Sequence, residues 1–166
     1  WSKATTVPPT AVPGPLHPLV QRDSSTAGEI QFTSDLNPDA FYLSDHRIQG
    51  ERVLPGVAYL EMATVAISRL LGTPAIQLNN VVWLRPLRTT GAVAVKIRLF
   101  KEGDLFRFEI VSGSPEIMHA QGSGQLRQGI APARVDLTAI KVRCQARNDA
   151  TSICAECAKA GLQLGD

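Results

Sequence analysis

The 166-residue sequence predicts an α+β fold in which antiparallel strands cover one long apolar helix. Three observations support this class. A stretch between Pro55 and Gly72 is apolar at most positions and has residues at both ends that suit helix termini. Segments after it alternate apolar and polar residues, as strands with one buried face do. Residues 101–104 between two of these segments are typical of a hairpin turn.

The part of the chain before the helix is predicted to be mostly irregular. Trp1 to Pro18 carries five prolines, and residues 1–15 are therefore expected to form an extended linker. Residues 29–36 give a weak strand signal, and residues 37–42 are predicted to form a turn or one helical turn. A loop is then expected to run from Ser44 to Gly50.

The predicted helix has clear ends. Pro55 suits the first helical position, where its missing N–H costs nothing, and Gly72 with Pro74 stops the helix. The polar residues of the helix fall on one narrow stripe: Glu61, Thr64 and Ser68. A helix with so much apolar surface is expected to be covered on most sides.

The rest of the chain is predicted to be a strand meander followed by a linker and a helix. The predicted strands are residues 76–87, 93–99, 106–110 and 118–124. Residues 128–150 are predicted to be a linker. A helix is expected over residues 151–160, with Thr151 or Ser152 as N-cap and Gly161 as C-cap. A curled sheet around a central helix is the hot-dog arrangement, although the spacing alone also allows other α+β folds.

Composition and charge exclude several classes of function. The formal net charge is +2 and no Lys/Arg cluster is present, which argues against nucleic-acid binding. The apolar stretch 53–71 contains Glu61 and Arg69, so it is not expected to span a membrane. Residues 1–18 lack the apolar core of a signal peptide, and the chain does not begin with Met. We therefore expect a cytoplasmic chain cut from a longer protein.

The three cysteines are expected to be free thiols. Cys154 and Cys157 form a C-x-x-C pair, but the sequence offers no two further ligands for a zinc ion, and Cys144 has no partner. No metal site is predicted. Free thiols also fit the reducing environment of the cytoplasm.

One motif carries a resemblance to a known family. His46, Gly50 and Pro55 fit the pattern H-x-x-x-G-x-x-x-x-P, which resembles that of dehydratase domains in polyketide synthases and animal-type fatty acid synthases. Four flanking segments resemble the same domains: residues 16–19, 55–63, 83–87 and 119–122. The resemblance extends over residues 16–166 and implies the N-terminal hot-dog half of a dehydratase domain in a modular polyketide synthase.

This resemblance implies dehydration of a β-hydroxyacyl thioester to the α,β-unsaturated thioester, with His46 as catalytic base. An imidazole titrates near neutral pH, so it suits removal of a weakly acidic α-proton, and a buried setting would keep it neutral. Pro55 opens a helix whose free N–H groups at Gly56 and Val57 could polarise the thioester carbonyl. Gly50 lacks a Cβ, so substrate could approach its backbone closely. These four residues are the predicted substrate-binding residues.

The other candidate side chains are expected to be structural. His17 follows the Pro-rich stretch, and His119 lies on a strand in phase with polar residues. Tyr59 is expected to pack in the core. Asp45 adjoins His46, but neighbours in an extended segment point apart, so Asp45 is not expected to orient the imidazole.

The resemblance also implies a second hot dog, which supplies an Asp in a D-x-x-x-Q or D-x-x-x-H motif to protonate the departing hydroxyl. No Asp after the helix has that context, so the 166-residue chain alone is expected to be inactive. Residues 16–127 are predicted to form the first hot dog and residues 151–166 the truncated start of the second. Leu164 and Asp166 replace the Tyr and Pro that many relatives carry there, which favours the trans-acyltransferase type.

Two other functions stay open at this point. A double-bond shift domain keeps the His but lacks a working Asp, and a non-catalytic module would serve only as a docking or dimer surface. Pro55 favours the dehydratase. The implied partners are an acyl carrier protein with its phosphopantetheine arm, neighbouring synthase domains, the missing second half, and a second copy in a homodimeric synthase. No cofactor is expected, since elimination needs only an acid and a base.

Overall fold

The computed structural model describes residues 16–129, 134–144 and 148–165. The predicted linker 1–15 and Asp166 lie outside these residues. The described elements, in chain order, are β1 (Arg22–Asp23), β2 (Ile30–Leu36), α1 (Phe41–Ser44), β3 (His46–Ile48), β4 (Glu51–Val53), α2 (Gly56–Leu71), β5 (Ile76–Trp83), β6 (Arg88–Thr89), β7 (Val93–Glu102), β8 (Leu105–Ser112), β9 (Ile117–Leu126), α3 (Leu137–Arg143), α4 (Ala150–Lys159) and β10 (Leu162–Leu164).

The larger sheet has six antiparallel strands in the order β1-β2-β7-β8-β9-β5. Strands β7 and β8 form a hairpin in which Glu102 pairs with Leu105. The turn between them contains Gly103 at φ 64°, a conformation that glycine adopts readily. The predicted strands of this meander are thus confirmed, although β5 ends at Trp83 rather than at Leu87.

The smaller sheet has the strand order β10-β3-β4-β6 and contains the motif residues 46–53. Ile48 pairs with Glu51, so only Gln49 and Gly50 connect β3 to β4. Both have positive φ, 53° and 83°, as a type I′ hairpin turn requires. The expectation of a loop from Ser44 to Gly50 is therefore wrong, because three-residue strands are too short to show an alternating pattern.

Helix α2 packs against the larger sheet with one face. Pro55 is its N-cap, one residue before the predicted position, and Gly72 ends it in the left-handed conformation at φ 67°. The buried side chains of this face are Ala58, Tyr59, Met62, Ala63, Ala66 and Ile67. Val57 on the other side is 70% exposed. The described residues thus cover the helix on one face only. The prediction from its composition, that it would be covered on most sides, is wrong for the described residues.

The core between α2 and the sheet depends on glycines that let side chains approach β9. The side chains of Phe108, Met62 and Ile67 are fully buried there. A Cβ on Gly122 would lie 2.8 Å from the Phe108 ring and 3.1 Å from the Cα of Val81. Glycine at 122 is therefore needed for the close approach of the Phe108 ring to the sheet.

The region after the meander contains two helices. Within residues 128–150, which were predicted to be a linker between two hot dogs, lies helix α3, which Asp136 caps by accepting hydrogen bonds from Thr138 N and Ala139 N. The predicted second helix is present as α4. Its N-cap is Asp149, which accepts from Ser152 N, and not Thr151 or Ser152. No helix among the described residues has the length and hydropathy needed to cross a membrane.

We predict that Gly122→Ala lowers the free energy of unfolding by about 1–3 kcal/mol, because the added methyl overpacks the Phe108 contact. Urea denaturation followed by circular dichroism measures this change. Gly28→Ala is the matched control, since no heavy atom lies within 4 Å of a Cβ at Gly28. The control should lose no more than about 0.5 kcal/mol. Equal stability losses in the two variants would contradict the packing argument.

Candidate active site

The His46 imidazole is held by the backbone of the adjacent strand. His46 is half-buried at the start of β3, and its Nδ1 lies 2.7 Å from the carbonyl oxygen of Val53 on β4. A carbonyl oxygen can only accept, so Nδ1 carries the hydrogen and donates it. In the neutral ring the lone pair is then on Nε2. Nε2 makes no hydrogen bond to any described residue.

The Val53 carbonyl is itself fixed by its surroundings. Val53 and Leu54 are buried, and Leu54 N donates to the carbonyl oxygen of Leu87 at 3.0 Å. Asp45 accepts a hydrogen bond from Ser44 Oγ at 2.6 Å. The group that orients His46 is therefore a backbone carbonyl, and Asp45 is not part of that contact, as the sequence had indicated.

Two clefts meet at His46. The first has a volume of about 480 Å³ and apolar walls; its lining residues are Leu19, Phe41, Tyr42, Asp45, His46, Pro55, Val57, Ala58 and Glu61. The second, of about 380 Å³, is lined by His46, Ile48, Val53, Leu54, Gly56, Tyr59, Trp83, Leu84, Arg85 and Pro86. The structure thus brings Pro55, Gly56 and Val57 together with His46 around these two clefts.

The N-terminus of α2 lies beside the imidazole. Pro55 makes no side-chain capping bond, and its carbonyl accepts from Ala58 N at 2.9 Å. The Gly56 carbonyl accepts from Trp83 Nε1 at 3.0 Å, and a Cβ on Gly56 would lie only 3.4 Å from that nitrogen. Because no side chain caps the helix, the N–H groups of Gly56 and Val57 can bind a group with partial negative charge.

Gly50 lies at the far end of the hairpin from His46. It lines a separate polar cleft with Arg47 and Arg52, and His46 does not line that cleft. Its φ of 83° is what the two-residue turn demands, and no atom lies within 4 Å of a Cβ at this position. The turn therefore explains this glycine, and a contact between Gly50 and the substrate stays a prediction.

The other two histidines have both ring nitrogens engaged. His17 Nδ1 accepts from Leu19 N at 3.2 Å, and its Nε2 is 3.4 Å from a carboxylate oxygen of Glu61. His119 is 4% exposed, with Nδ1 3.1 Å from the Arg85 carbonyl and Nε2 2.7 Å from Ser112 Oγ. Of the three histidines, all of which the structure describes, only His46 has a ring nitrogen without a hydrogen-bond partner, and His46 lines both clefts.

The burial of His119 was not expected from its place in the alternating pattern. Ile110 pairs with Ala120, but Val111 pairs with Met118, so a bulge at His119 breaks the period of two. The imidazole therefore points inward. Burial lowers the pKa of His119 below its ordinary 6.5, and the hydrogen bond to the Arg85 backbone raises it in part.

Tyr59 combines core packing with a polar contact. Its side chain is buried, as predicted, and its hydroxyl accepts a hydrogen bond from Leu87 N at 3.1 Å. Burial raises the pKa of the Tyr59 phenol above 10.0. No sequence pattern predicts this bond, because the segment that contains Leu87 is irregular.

The last described strand runs beside His46. In β10, Leu164 pairs with His46, and a Cβ on Gly165 would lie 2.5 Å from Asp45.

The three cysteines are free thiols. Among the described residues, no group of three or more His, Cys, Asp or Glu side chains could hold a metal ion.

Residues 17–113 match the sequence model of the family described as polyketide synthase dehydratase domain. The chain therefore belongs to the polyketide synthase dehydratase domain family. Polyketide synthase PksN of Bacillus subtilis (strain 168) is 36% identical over 141 residues, which are 78% of this chain and 3% of that protein. Polyketide synthase PksM of the same organism is 34% identical over 165 residues, 91% of this chain and 4% of that protein.

Solved dehydratase structures share the fold. A dehydratase domain of a trans-AT polyketide synthase from Brevibacillus brevis superposes with a TM-score of 0.85 and 34% identity, over 92% of this chain and 58% of that one. The dehydratase domain from the CurF module of curacin polyketide synthase gives a TM-score of 0.82 at 25% identity, over 90% of this chain and 58% of that one. The predicted hot-dog fold is confirmed. The chain spans less than two thirds of each solved domain.

We predict that acid destabilises the chain partly through His119. The folded state keeps His119 neutral, whereas the unfolded state binds a proton below about pH 6.5. This contribution to the free energy of unfolding is therefore complete above about pH 6.5 and is lost as the pH falls toward the lower folded pKa. Urea denaturation between about pH 7 and pH 5.5 should show a smaller decline in His119→Asn than in the parent.

The control is the parent chain measured over the same pH series. The two chains are compared by the change in their free energy of unfolding between about pH 7 and pH 5.5. Identical pH dependence in His119→Asn and the parent would show that His119 does not make this contribution.

Proposed function

We propose that this chain provides the base-bearing half of a dehydratase that converts a β-hydroxyacyl thioester on an acyl carrier protein to the α,β-unsaturated thioester. The observation that carries this proposal is the hydrogen bond from His46 Nδ1 to the Val53 carbonyl at 2.7 Å. This bond leaves a basic Nε2 beside two clefts, which is the arrangement that a general base requires. Membership of the dehydratase family supports the same reaction.

In the proposed mechanism, His46 Nε2 removes the proton from the α-carbon of the thioester. The electron pair moves toward the carbonyl oxygen, where negative charge builds. The N–H groups of Gly56 and Val57, at the positive end of α2, stabilise that charge. The electron pair then forms the α,β double bond as the β-carbon–oxygen bond breaks, and the departing hydroxyl takes a proton from an acid and leaves as water.

The apolar cleft next to His46 is suited to the acyl chain. Leu19, Phe41 and Val57 form its walls, and its volume of about 480 Å³ falls in the range of small-molecule sites. Phe41 is 75% exposed and Val57 is 70% exposed, so an acyl group that covered them would bury apolar surface. The phosphopantetheine arm of the carrier would present the thioester end to the helix N-terminus. In this proposal the elimination needs no metal and no cofactor of the chain's own.

The acid is proposed to come from a second hot-dog half. This chain spans 58% of the Brevibacillus brevis dehydratase domain and 58% of the CurF dehydratase domain, so each has a further part that could carry the donor. The proposed assembly therefore includes this second half, an acyl carrier protein, neighbouring synthase domains and a second copy of the synthase. Residues 151–166 would begin the second half, with β10 beside His46.

We predict that His46→Ala lowers the rate of dehydration at least about 100-fold in a domain that joins this chain to a second hot-dog half. The substrate is a 3-hydroxyacyl thioester on a carrier protein, and mass spectrometry follows the loss of water. Lys101→Ala is the control and should react at close to the parent rate, because Lys101 is exposed near the end of β7 and lines neither cleft at His46. A parent rate in His46→Ala would show that His46 is not the base.

The 166-residue chain alone is predicted to give no dehydration above the uncatalysed rate, because no described residue takes the role of the acid in this proposal. The same assay measures this, with circular dichroism to show that the chain is folded. Turnover by the folded chain at the rate of the joined domain would contradict the division of base and acid between the two halves. Movement of a double bond without loss of water in the joined domain would contradict dehydration itself.

A further inference from the structure

Residues 84–87 form an irregular segment held by several hydrogen bonds, and residues 84–86 of it line the second cleft. His119 contributes three of them. Its Nδ1 donates to the Arg85 carbonyl at 3.1 Å, and its own carbonyl accepts from Leu84 N at 2.8 Å and from Arg85 N at 3.4 Å. Tyr59 adds a fourth, since its hydroxyl accepts from Leu87 N at 3.1 Å. The segment is therefore anchored from β9 and from α2 together.

This segment in turn supports the strand that orients His46. The Leu87 carbonyl accepts from Leu54 N at 3.0 Å, and Arg88, the next residue, pairs with Val53 in the small sheet. The Val53 carbonyl then accepts from His46 Nδ1 at 2.7 Å. The links from residues 84–88 to Val53 and Leu54 are between backbone groups, and the last link joins the His46 side chain to the Val53 carbonyl. A shift of residues 84–87 would therefore move the acceptor of the His46 bond.

We propose that His119 and Tyr59 are positioning residues for His46, which hold residues 84–87 so that the Val53 carbonyl selects the Nδ1–H form of the imidazole. The role of that form as a base rests on the proposed function, but the positioning itself is a property of this chain. Neither side chain touches the nitrogen that would take the proton.

If His119 only filled space in the core, an apolar side chain would do so at a lower free-energy cost of burial. A buried imidazole loses its hydration, and only its two hydrogen bonds compensate for that loss. Ser112, which donates to His119 Nε2, is also buried. The core thus contains two polar side chains, His119 and Ser112. Together they hold the Nδ1–H of His119 toward the Arg85 carbonyl. Groups that orient a metal-ligating histidine commonly change activity about 10- to 100-fold when they are removed, and His119 would support His46 in a comparable way.

Nitrogen-15 NMR of the 166-residue chain tests the positioning directly, because it contains only three histidines. The chemical shifts of ring nitrogens show which nitrogen carries the hydrogen. At about pH 8, where histidine is neutral, His46 should be in the Nδ1–H form in the parent chain. Signals are assigned with His17→Asn and His46→Asn, and no substrate or second half is needed.

Two substitutions of His119 form a matched pair. Asn places an amide N–H near the position of Nδ1, so His119→Asn should keep the bond to Arg85 and leave His46 in the Nδ1–H form. Gln places its amide near the position of Nε2, so His119→Gln should release residues 84–87. The His46 signals should then shift toward a mixture of both ring forms. No shift in His119→Gln, or an equal shift in both variants, would overturn the role of the Arg85 bond.

Tyr59→Phe keeps the proposal testable if His119→Gln fails to fold. It removes only the acceptor of Leu87 N and leaves His119 unchanged, so it should also shift the His46 signals. Gln121→Ala is the control, because Gln121 lies on the same strand as His119 but its side chain makes no hydrogen bond to residues 84–87, and it should leave the His46 signals in place. Unchanged His46 signals in a folded Tyr59→Phe chain would overturn the proposal that residues 84–87 hold His46.

A kinetic measurement separates this inference from the proposed function. In the joined domain, His119→Gln should lower kcat about tenfold with little change in KM, and His119→Asn should stay near the parent rate. If His46→Ala retains the parent rate while the NMR shifts occur as expected, the proposed function fails and the positioning stands. If His46→Ala is inactive but His119→Gln changes neither the NMR signals nor kcat, the positioning fails alone.

Discussion

The hydrogen bond between His46 Nδ1 and the Val53 carbonyl is the contact on which the arrangement of the site depends. It joins the two strands of a hairpin whose connection is only two residues long, so the ring and its acceptor move together. It also decides which nitrogen is basic, since a carbonyl cannot donate. Without this contact, the imidazole could carry its hydrogen on either nitrogen. Its position between the two clefts would then not determine which nitrogen has the lone pair.

The rest of the fold supports that hairpin from several directions. Helix α2 begins three residues after Val53, so the positive end of its dipole lies at the same place as the imidazole. Strand β10 pairs with β3 on one side, and β6 pairs with β4 on the other. The large sheet contributes less directly, by burying one face of α2 and carrying His119. A small sheet of short strands thus obtains its rigidity from its neighbours rather than from its own length.

The sequence was sufficient for the long elements and for the position of His46 shortly before the long helix, but not for the contacts that support them. Helix α2 and the meander β7–β9 have clear periodicity, whereas the segment that contains His46 was predicted as a loop and is a strand. The hairpin was missed because its strands have three residues each. The pairing of β10 with β3 joins residues more than a hundred positions apart, which no local pattern reports. The inward turn of His119 depends on a bulge that an alternating pattern cannot anticipate.

The two-residue turn at Gln49 and Gly50 explains the spacing of the motif residues His46, Gly50 and Pro55. Counting from His46, three strand residues lead to the turn, Gly50 is its second residue, and three more return to Val53 opposite the imidazole. Leu54 and Pro55 then turn the chain into the helix. The number of residues between His46 and Pro55 therefore matters as much as their identity. One residue inserted into β3 or β4 would exchange the two faces of that strand, so that His46 would turn away from the clefts. This segment should therefore vary in sequence but not in length.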